Sequence, residues 1–302
     1  MLSTLMLALC VALAHGITQD ETNYFGTTGI TEKNTGLVGW VTVSESGSNW
    51  VIRSNNIPDH ETGSFPGNHN PNSIEEQSNQ YTVPQEPQVA STTTCLPGGP
   101  IAIAVNGIVI YNPWDADGEN AVEGDGAEVF DMCDGHPDQN GRYHYHRQPS
   151  SCLFDIESGV PSPLIGVAFD GFAIYGPVDE SGNTLTSSDL DECHGRYNSD
   201  GIYQYHTTSD FPYILGCYKG TPQGVNVGGN NCYKAADADG DGNVVGGGSG
   251  GGGGGGQKPP PHHRPRPARS TPPADARIPQ NLFQRRLPAG YQDFLQKVIF
   301  RR

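Results

Sequence analysis

The sequence is short of positive charge, of long apolar runs and of nucleophile motifs. Residues 1–256 hold 31 acidic and 7 basic side chains, whereas residues 257–302 hold 2 acidic and 10 basic. Such an acidic body repels nucleic acid and gathers cations, so only the basic tail can touch a polyanion. The one marked apolar run, Met1 to Gly16 (MLSTLMLALCVALAHG), is too short to cross a bilayer. It has no Lys or Arg ahead of its apolar core, but its small residues allow cleavage after Ala14 or Gly16. It reads as a signal peptide over 1–16, which predicts a secreted, extracellular protein with no membrane span. No Asn-x-Ser/Thr sequon occurs. No G-x-S-x-G nucleophile elbow joins a strand to a helix, and no catalytic residue is assigned. With 41 Gly, 24 Pro and a hydrophobic share of 34%, part of the chain is expected not to pack.

Loss of Cys10 with the signal leaves Cys95, Cys133, Cys152, Cys193, Cys217 and Cys232. Six cysteines in an oxidising compartment predict three disulfides, although about 15 pairings exist. Residues 17–94 carry short alternating runs at Leu37–Val43 and Trp50–Ile52, which are strand signals. The Pro/Gly/Asn-rich stretch from Asn56 to Asn72 is a loop that contains His60 and His69.

From Ile101 onward the pattern repeats. Ile101–Val105, Asn106-Gly107 and Ile108–Tyr111 form one hairpin signal; Val167–Phe169, Asp170-Gly171 and Phe172–Tyr175 form its copy. A second hairpin closes each unit, with Gly141-Arg142-Tyr143-His144-Tyr145-His146 in the first and Gly201-Ile202-Tyr203-Gln204-Tyr205-His206 in the second. Asp131-x-Cys133 and Asp191-x-Cys193 stand between the turns. The expected fold is all-β or mostly β: two tandem hairpin units at about 101–152 and 164–217, stapled by disulfides, with a disordered C-terminal tail. Symmetry favours Cys133–Cys152, Cys193–Cys217 and Cys95–Cys232, while cross-links between the units fit the count equally well.

On a strand, the period of two places Tyr143 and Tyr145 on one face and His144 and His146 on the other. Neutral imidazoles at that spacing suit copper or zinc. His206, His136 and His60 are the further candidate ligands. A site with an open position can also support redox or hydrolytic chemistry, and the same two histidines can instead form a hydrogen-bonded core pair. Asp237, Asp239 and Asp241 begin like a calcium loop, but Gly248 stands where the bidentate Glu belongs, so only weak calcium binding is expected. Residues 17–235 form the candidate domain. An acidic, Gly-rich and Pro/Arg-rich linker follows over 236–273, and a basic tail over 274–302 has the apolar spacing of a short amphipathic helix.

The Gly-x-Tyr-His-Tyr-His run resembles the YHYH domain family. The likeness takes in Ile57-Pro58-Asp59-His60, Phe65-Pro66, Asn70-Pro71-Asn72, Asp134-Gly135-His136 and Gly166–Phe172 with Ile174–Pro177, over roughly residues 38–220. It implies a secreted or cell-surface β-rich domain and no particular activity. Combined with the acidic body, glycine tract and basic tail, it leads to an extracellular metal-binding protein of a matrix, mineralised matrices included, as the first expectation. A secreted copper or zinc enzyme and a metal-free adhesive or carbohydrate-binding module are the alternatives.

Overall fold

Short runs of Val, Ile and aromatic residues, broken by Asn-Gly and Asp-Gly pairs, fold here as short strands. The computed structural model describes residues 15–67, 70–124, 127–149, 152–225, 227 and 232–244. All of them fall in one compact unit, residues 1–247. The signal segment through Ala14, His69, Gly248, the glycine tract, the Pro/Arg-rich stretch and the basic tail lie outside the described residues.

Three strands, β1 (Val41–Ser46), β2 (Asn49–Ser54) and β3 (Asn79–Pro84), form an antiparallel sheet in the order β1-β2-β3. A two-residue strand β4 (Leu96–Pro97) follows. The main sheet is built from β5 (Pro100–Ala104), β6 (Val109–Tyr111), β7 (Gly135–Pro137), β8 (Tyr143–Tyr145), β9 (Leu164–Ala168), β10 (Ala173–Tyr175), β11 (Gly195–Tyr197) and β12 (Tyr203–His206). Its order is β11-β12-β10-β9-β5-β6-β8-β7. Read outward from the antiparallel β5–β9 seam, each half runs hairpin, parallel step, hairpin. The last strand, β13 (Cys232–Tyr233), pairs with β4.

The smaller sheet packs against the larger. Trp50, Ile52 and Val83 join the core, and Tyr81 stacks on Phe169 with ring centroids 4.4 Å apart. Asn56 fills a gap in the parallel pairing of β6 and β8. Its Nδ2 donates to the Tyr143 carbonyl at 2.7 Å, and its Oδ1 accepts from the Val109 N–H at 3.2 Å. A side-chain amide thus replaces a missing ladder rung and fixes where β8 begins.

Both Tyr/His strands send their tyrosines into the core. Tyr143 donates to Asp131 at 2.8 Å, and Tyr203 donates to Asp191 at 2.9 Å. Tyr145 packs beside Asn106 and His60, while Tyr205 donates to Asp170 at 2.6 Å. Each first tyrosine lies across a glycine of the facing strand. A Cβ on Gly135 would stand 2.3 Å from the Tyr143 ring, and one on Gly195 would stand 2.2 Å from the Tyr203 hydroxyl. Three disulfides, Cys95–Cys232, Cys133–Cys152 and Cys193–Cys217, complete the scaffold in nested form, with no cross-link between the halves among them.

Two expected outcomes follow from this packing. Gly135→Ala and Gly195→Ala should each destabilise the fold by about 1–3 kcal/mol through overpacking, read as a lower denaturant midpoint. Two variants with unchanged midpoints would contradict the contact. Asp170 concerns pH: burial raises its carboxyl to about 6, against hydrogen bonds from Tyr205, Gly220 and Phe172 that lower it. The folded state therefore holds this proton more tightly than the unfolded chain. The stabilisation is complete below the unfolded value near 4 and is lost as pH rises through about 6. Asp170→Asn, which copies Asn106 of the other half, should flatten that slope and gain about 3 kcal/mol on the wild type between pH 4 and 7. Equal pH–stability curves for the two proteins would refute it.

Candidate metal centre

On the face of β8 away from the tyrosines, His144 and His146 are almost fully buried. His136 stands directly opposite His144 in the β7–β8 register. Their Nε2 atoms lie 3.0 Å apart, and the Nε2 atoms of His144 and His146 lie 3.1 Å apart. Glu128, from the segment leading into β7, places Oε2 at 2.7 Å from His136 Nε2 and 3.2 Å from His146 Nε2. Among the described residues these four side chains form a cluster able to hold a metal ion.

The back of each ring decides its tautomer. His136 Nδ1 faces the Val129 carbonyl at 3.2 Å, His144 Nδ1 the Arg142 carbonyl at 3.0 Å, and His146 Nδ1 the Asn112 carbonyl at 2.6 Å. A carbonyl oxygen can only accept, so each Nδ1 carries the proton. In the neutral rings all three Nε2 atoms are then bare lone pairs pointing at one another. Glu128 Oε2 joins them as a fourth acceptor, buried and with no hydrogen-bond donor facing it. Four converging acceptors repel unless a cation lies among them, either a proton on an Nε2 or a metal. Two nitrogens on a tetrahedral zinc or copper stand about 3.3 Å apart, close to the spacing observed here.

The surroundings favour a neutral His144 ring at the centre. Burial pushes His144 well below the usual imidazole range, and the neighbouring His136 and His146 push it further the same way. Burial lifts the Glu128 carboxyl, but where His136 or His146 carries an Nε2 proton, its hydrogen bond and charge outweigh burial and hold the group well below the usual carboxylate range. Tyr111 stacks on His144 with centroids 3.8 Å apart, and Phe130 lies 4.9 Å from the His136 ring. Arg147 sits over Phe130 and pairs with Asp134. The histidine side chains of the Glu128 contacts are 6% and 2% exposed, against 29% for Glu128, so the cluster reaches solvent on the carboxylate side.

The other candidate ligands lie elsewhere. His60 points its Nε2 at the Tyr145 hydroxyl at 2.8 Å, on the tyrosine face of β8. His206 occupies in β12 the place of His146, and its Nδ1 faces the Gly176 carbonyl at 2.8 Å as His146 faces that of Asn112. Its Nε2 accepts from Gln204 Nε2 at 2.8 Å. Arg196 stands where the first half has His136, and it pairs with Glu180. The second half thus satisfies its one lone pair with an amide donor. Asp237, Asp239 and Asp241 do not gather into a ligand cluster among the described residues. Asp239 caps its own turn, accepting from the backbone N–H groups of Asp241 at 3.0 Å and Asn243 at 2.8 Å. Asp115 and Asp179 do the same in equivalent turns. Glu128 is the candidate ligand with no sequence signal of its own, being one acid in a segment of many.

Comparison with known proteins supplies the family and nothing narrower. The sequence model of the family described as YHYH protein matches residues 80–187 and 179–220. No curated protein and no solved structure matches the chain. The matched stretch takes in β5 to β12, both Tyr/His strands and all four residues of the cluster. Over residues 80–220 the chain belongs to the YHYH protein family.

Proposed function

We propose that this is a secreted metal-binding protein of an extracellular matrix, in which the Nε2 atoms of His136, His144 and His146, together with Glu128, hold one zinc or copper(II) ion. The observation that carries the reading is the convergence of four acceptor atoms whose tautomers are fixed from behind by backbone carbonyls. Imidazole and carboxylate donors suit both ions. With Glu128 as fourth ligand the set is closed, as in structural rather than catalytic sites, which favours a binder over an enzyme. Three disulfides are compatible with an oxidising compartment, and no helix among the described residues is long and apolar enough to cross a membrane. The matrix setting rests on composition: an acidic body, a glycine tract and a basic tail that can pair with polyanions.

The full chain from a secretory host should carry about one equivalent of zinc or copper at this cluster. Combined His144→Ala and His146→Ala should lose it, while Gln204→Ala, in the second half, should keep it. Metal at a hundred times its Kd should stabilise the wild type by about 2.7 kcal/mol, seen as a higher melting temperature absent from the double variant. Background metal content in a folded wild type, with no melting shift on adding either ion, would sink the proposal. For the matrix role, recovery of the protein in the soluble medium alone, with none in the insoluble extracellular fraction, would count against it.

A further inference from the structure

The chain is built into the fold from Gly16 onward. The Gly16 N–H donates to the Gln85 carbonyl at 3.1 Å, and a Cβ on Gly16 would stand 2.5 Å from the Gly171 carbonyl oxygen. Ile17 is buried, and its carbonyl accepts from Trp50 Nε1 at 3.1 Å. Cleavage after Gly16 would strip an anchored residue. Cleavage after Ala14, at the small-x-small pattern Ala12-Leu13-Ala14, leaves the anchor intact and makes His15 the first residue of the mature chain.

His15 is half-buried and lines a cleft with Glu21, Tyr175, Asn198, Tyr203 and Gln204. The Glu21 carboxylate is held in place from both oxygens. Oε2 accepts from the Thr18 N–H at 2.7 Å and from the Thr18 hydroxyl at 2.9 Å, and Oε1 accepts from the Tyr175 hydroxyl. The position of the cleft matters as well. Tyr175 and Gln204 are the second-half counterparts of Tyr111 and His144, the stacked pair at the first-half cluster. His15 therefore brings an imidazole to the half whose own strand offers an amide in place of the first histidine.

An N-terminal histidine offers two nitrogens that one cation can grip together, the α-amine and Nδ1. The α-amine gives up one proton to solvent when it binds, and its ordinary value near 8 makes that easy around neutral pH. Two nitrogens and a nearby carboxylate favour copper(II) over the other common divalent ions. We infer that the mature protein carries a separate copper(II) site at its own amino terminus, chelated by the α-amine and Nδ1 of His15 beside Glu21. The cluster on β7 and β8 is not needed for it.

The test uses the full secreted chain and copper(II) alone as the probe. Mass spectrometry of the purified protein should place the first residue at His15. A variant with Ala-Pro-Pro-Ala inserted before His15 in the mature chain keeps every side chain but carries the α-amine four residues away, with prolines that have no amide N–H to give up between it and Nδ1. It should bind copper at the terminus at least tenfold more weakly, lowering the total from two equivalents to one with an unchanged unfolding midpoint. His15→Ala should do the same. The double variant at His144 and His146 should retain the terminal copper, so loss of one site is distinguishable from loss of the other. If that variant does not fold, the four-residue insertion in the wild-type background still decides. A mature chain starting elsewhere, or copper stoichiometry and affinity unchanged by the insertion, overturns the inference.

Discussion

The alternation of side chains along β8 is the constraint on which both core and cluster depend. A strand has only two faces, so fixing one fixes the other. Tyr143 and Tyr145 are buried, and the first lies over Gly135 with its hydroxyl on Asp131. A register slip by one residue would drive His144 into that space and expose the tyrosines. Their packing therefore aims His144 and His146 at the same spot, to which His136 is added from directly across the ladder. The cluster is a by-product of core packing in position, though not in chemistry.

The second half of the sheet shows what this scaffold requires and what it does not. Tyr203 keeps the buried place and the carboxylate partner of Tyr143, and Tyr205 is buried on Asp170 where Tyr145 has Asn106 and His60. His206 even keeps the carbonyl behind its Nδ1. What changes is the ring of acceptors: Arg196 and Gln204 bring donors where His136 and His144 bring lone pairs. A hydrogen-bonded face of that kind costs the fold nothing unusual. The same backbone arrangement is thus compatible with a satisfied polar face, and three converging histidines are not a requirement of the architecture.

The fold was legible because its signals are local. Asn106-Gly107 and Asp170-Gly171 specify tight turns, the alternating runs on either side specify strands, and the spacing of Asp131-x-Cys133 and Asp191-x-Cys193 marks the corresponding hairpins. The pairing of His144 with His146 is likewise written in a two-residue spacing, and His136 sits one hairpin away. Glu128 was not legible, because its place depends on how an acidic segment without strand or turn pattern lies against β7. The separation of His60 and His206 from the cluster was not legible either. His60 arrives from a loop on the tyrosine side, and whether two equivalent strands turn their histidines toward one point depends on the sheet order, with β8 and β12 on opposite sides of the β5–β9 seam. Weak calcium binding was all that could be expected of Asp237, Asp239 and Asp241, since Asp at the first position of such a turn is as useful for capping backbone N–H groups, as Asp239 does, as for gripping a cation.

Energetics separates the cluster from ordinary core polarity. A buried polar atom without a partner costs about 1–3 kcal/mol, and here three imidazole lone pairs and a carboxylate oxygen face each other. A proton shared among them would ease this, but burial and the neighbouring imidazoles oppose a charge on His144. The scaffold holds the arrangement regardless: the Cys133–Cys152 disulfide and the Tyr143–Asp131 hydrogen bond brace the segment on either side of β7 and β8. Such bracing keeps the four acceptors together in the absence of a cation, so the ordering cost is met on folding and little of it is left for binding. Preorganised acceptors, tautomers set from behind and an exposed edge at Glu128 are the features on which the proposed metal site rests, and a proton on His136 or His146 bonded to Glu128 is the other way to relieve the repulsion.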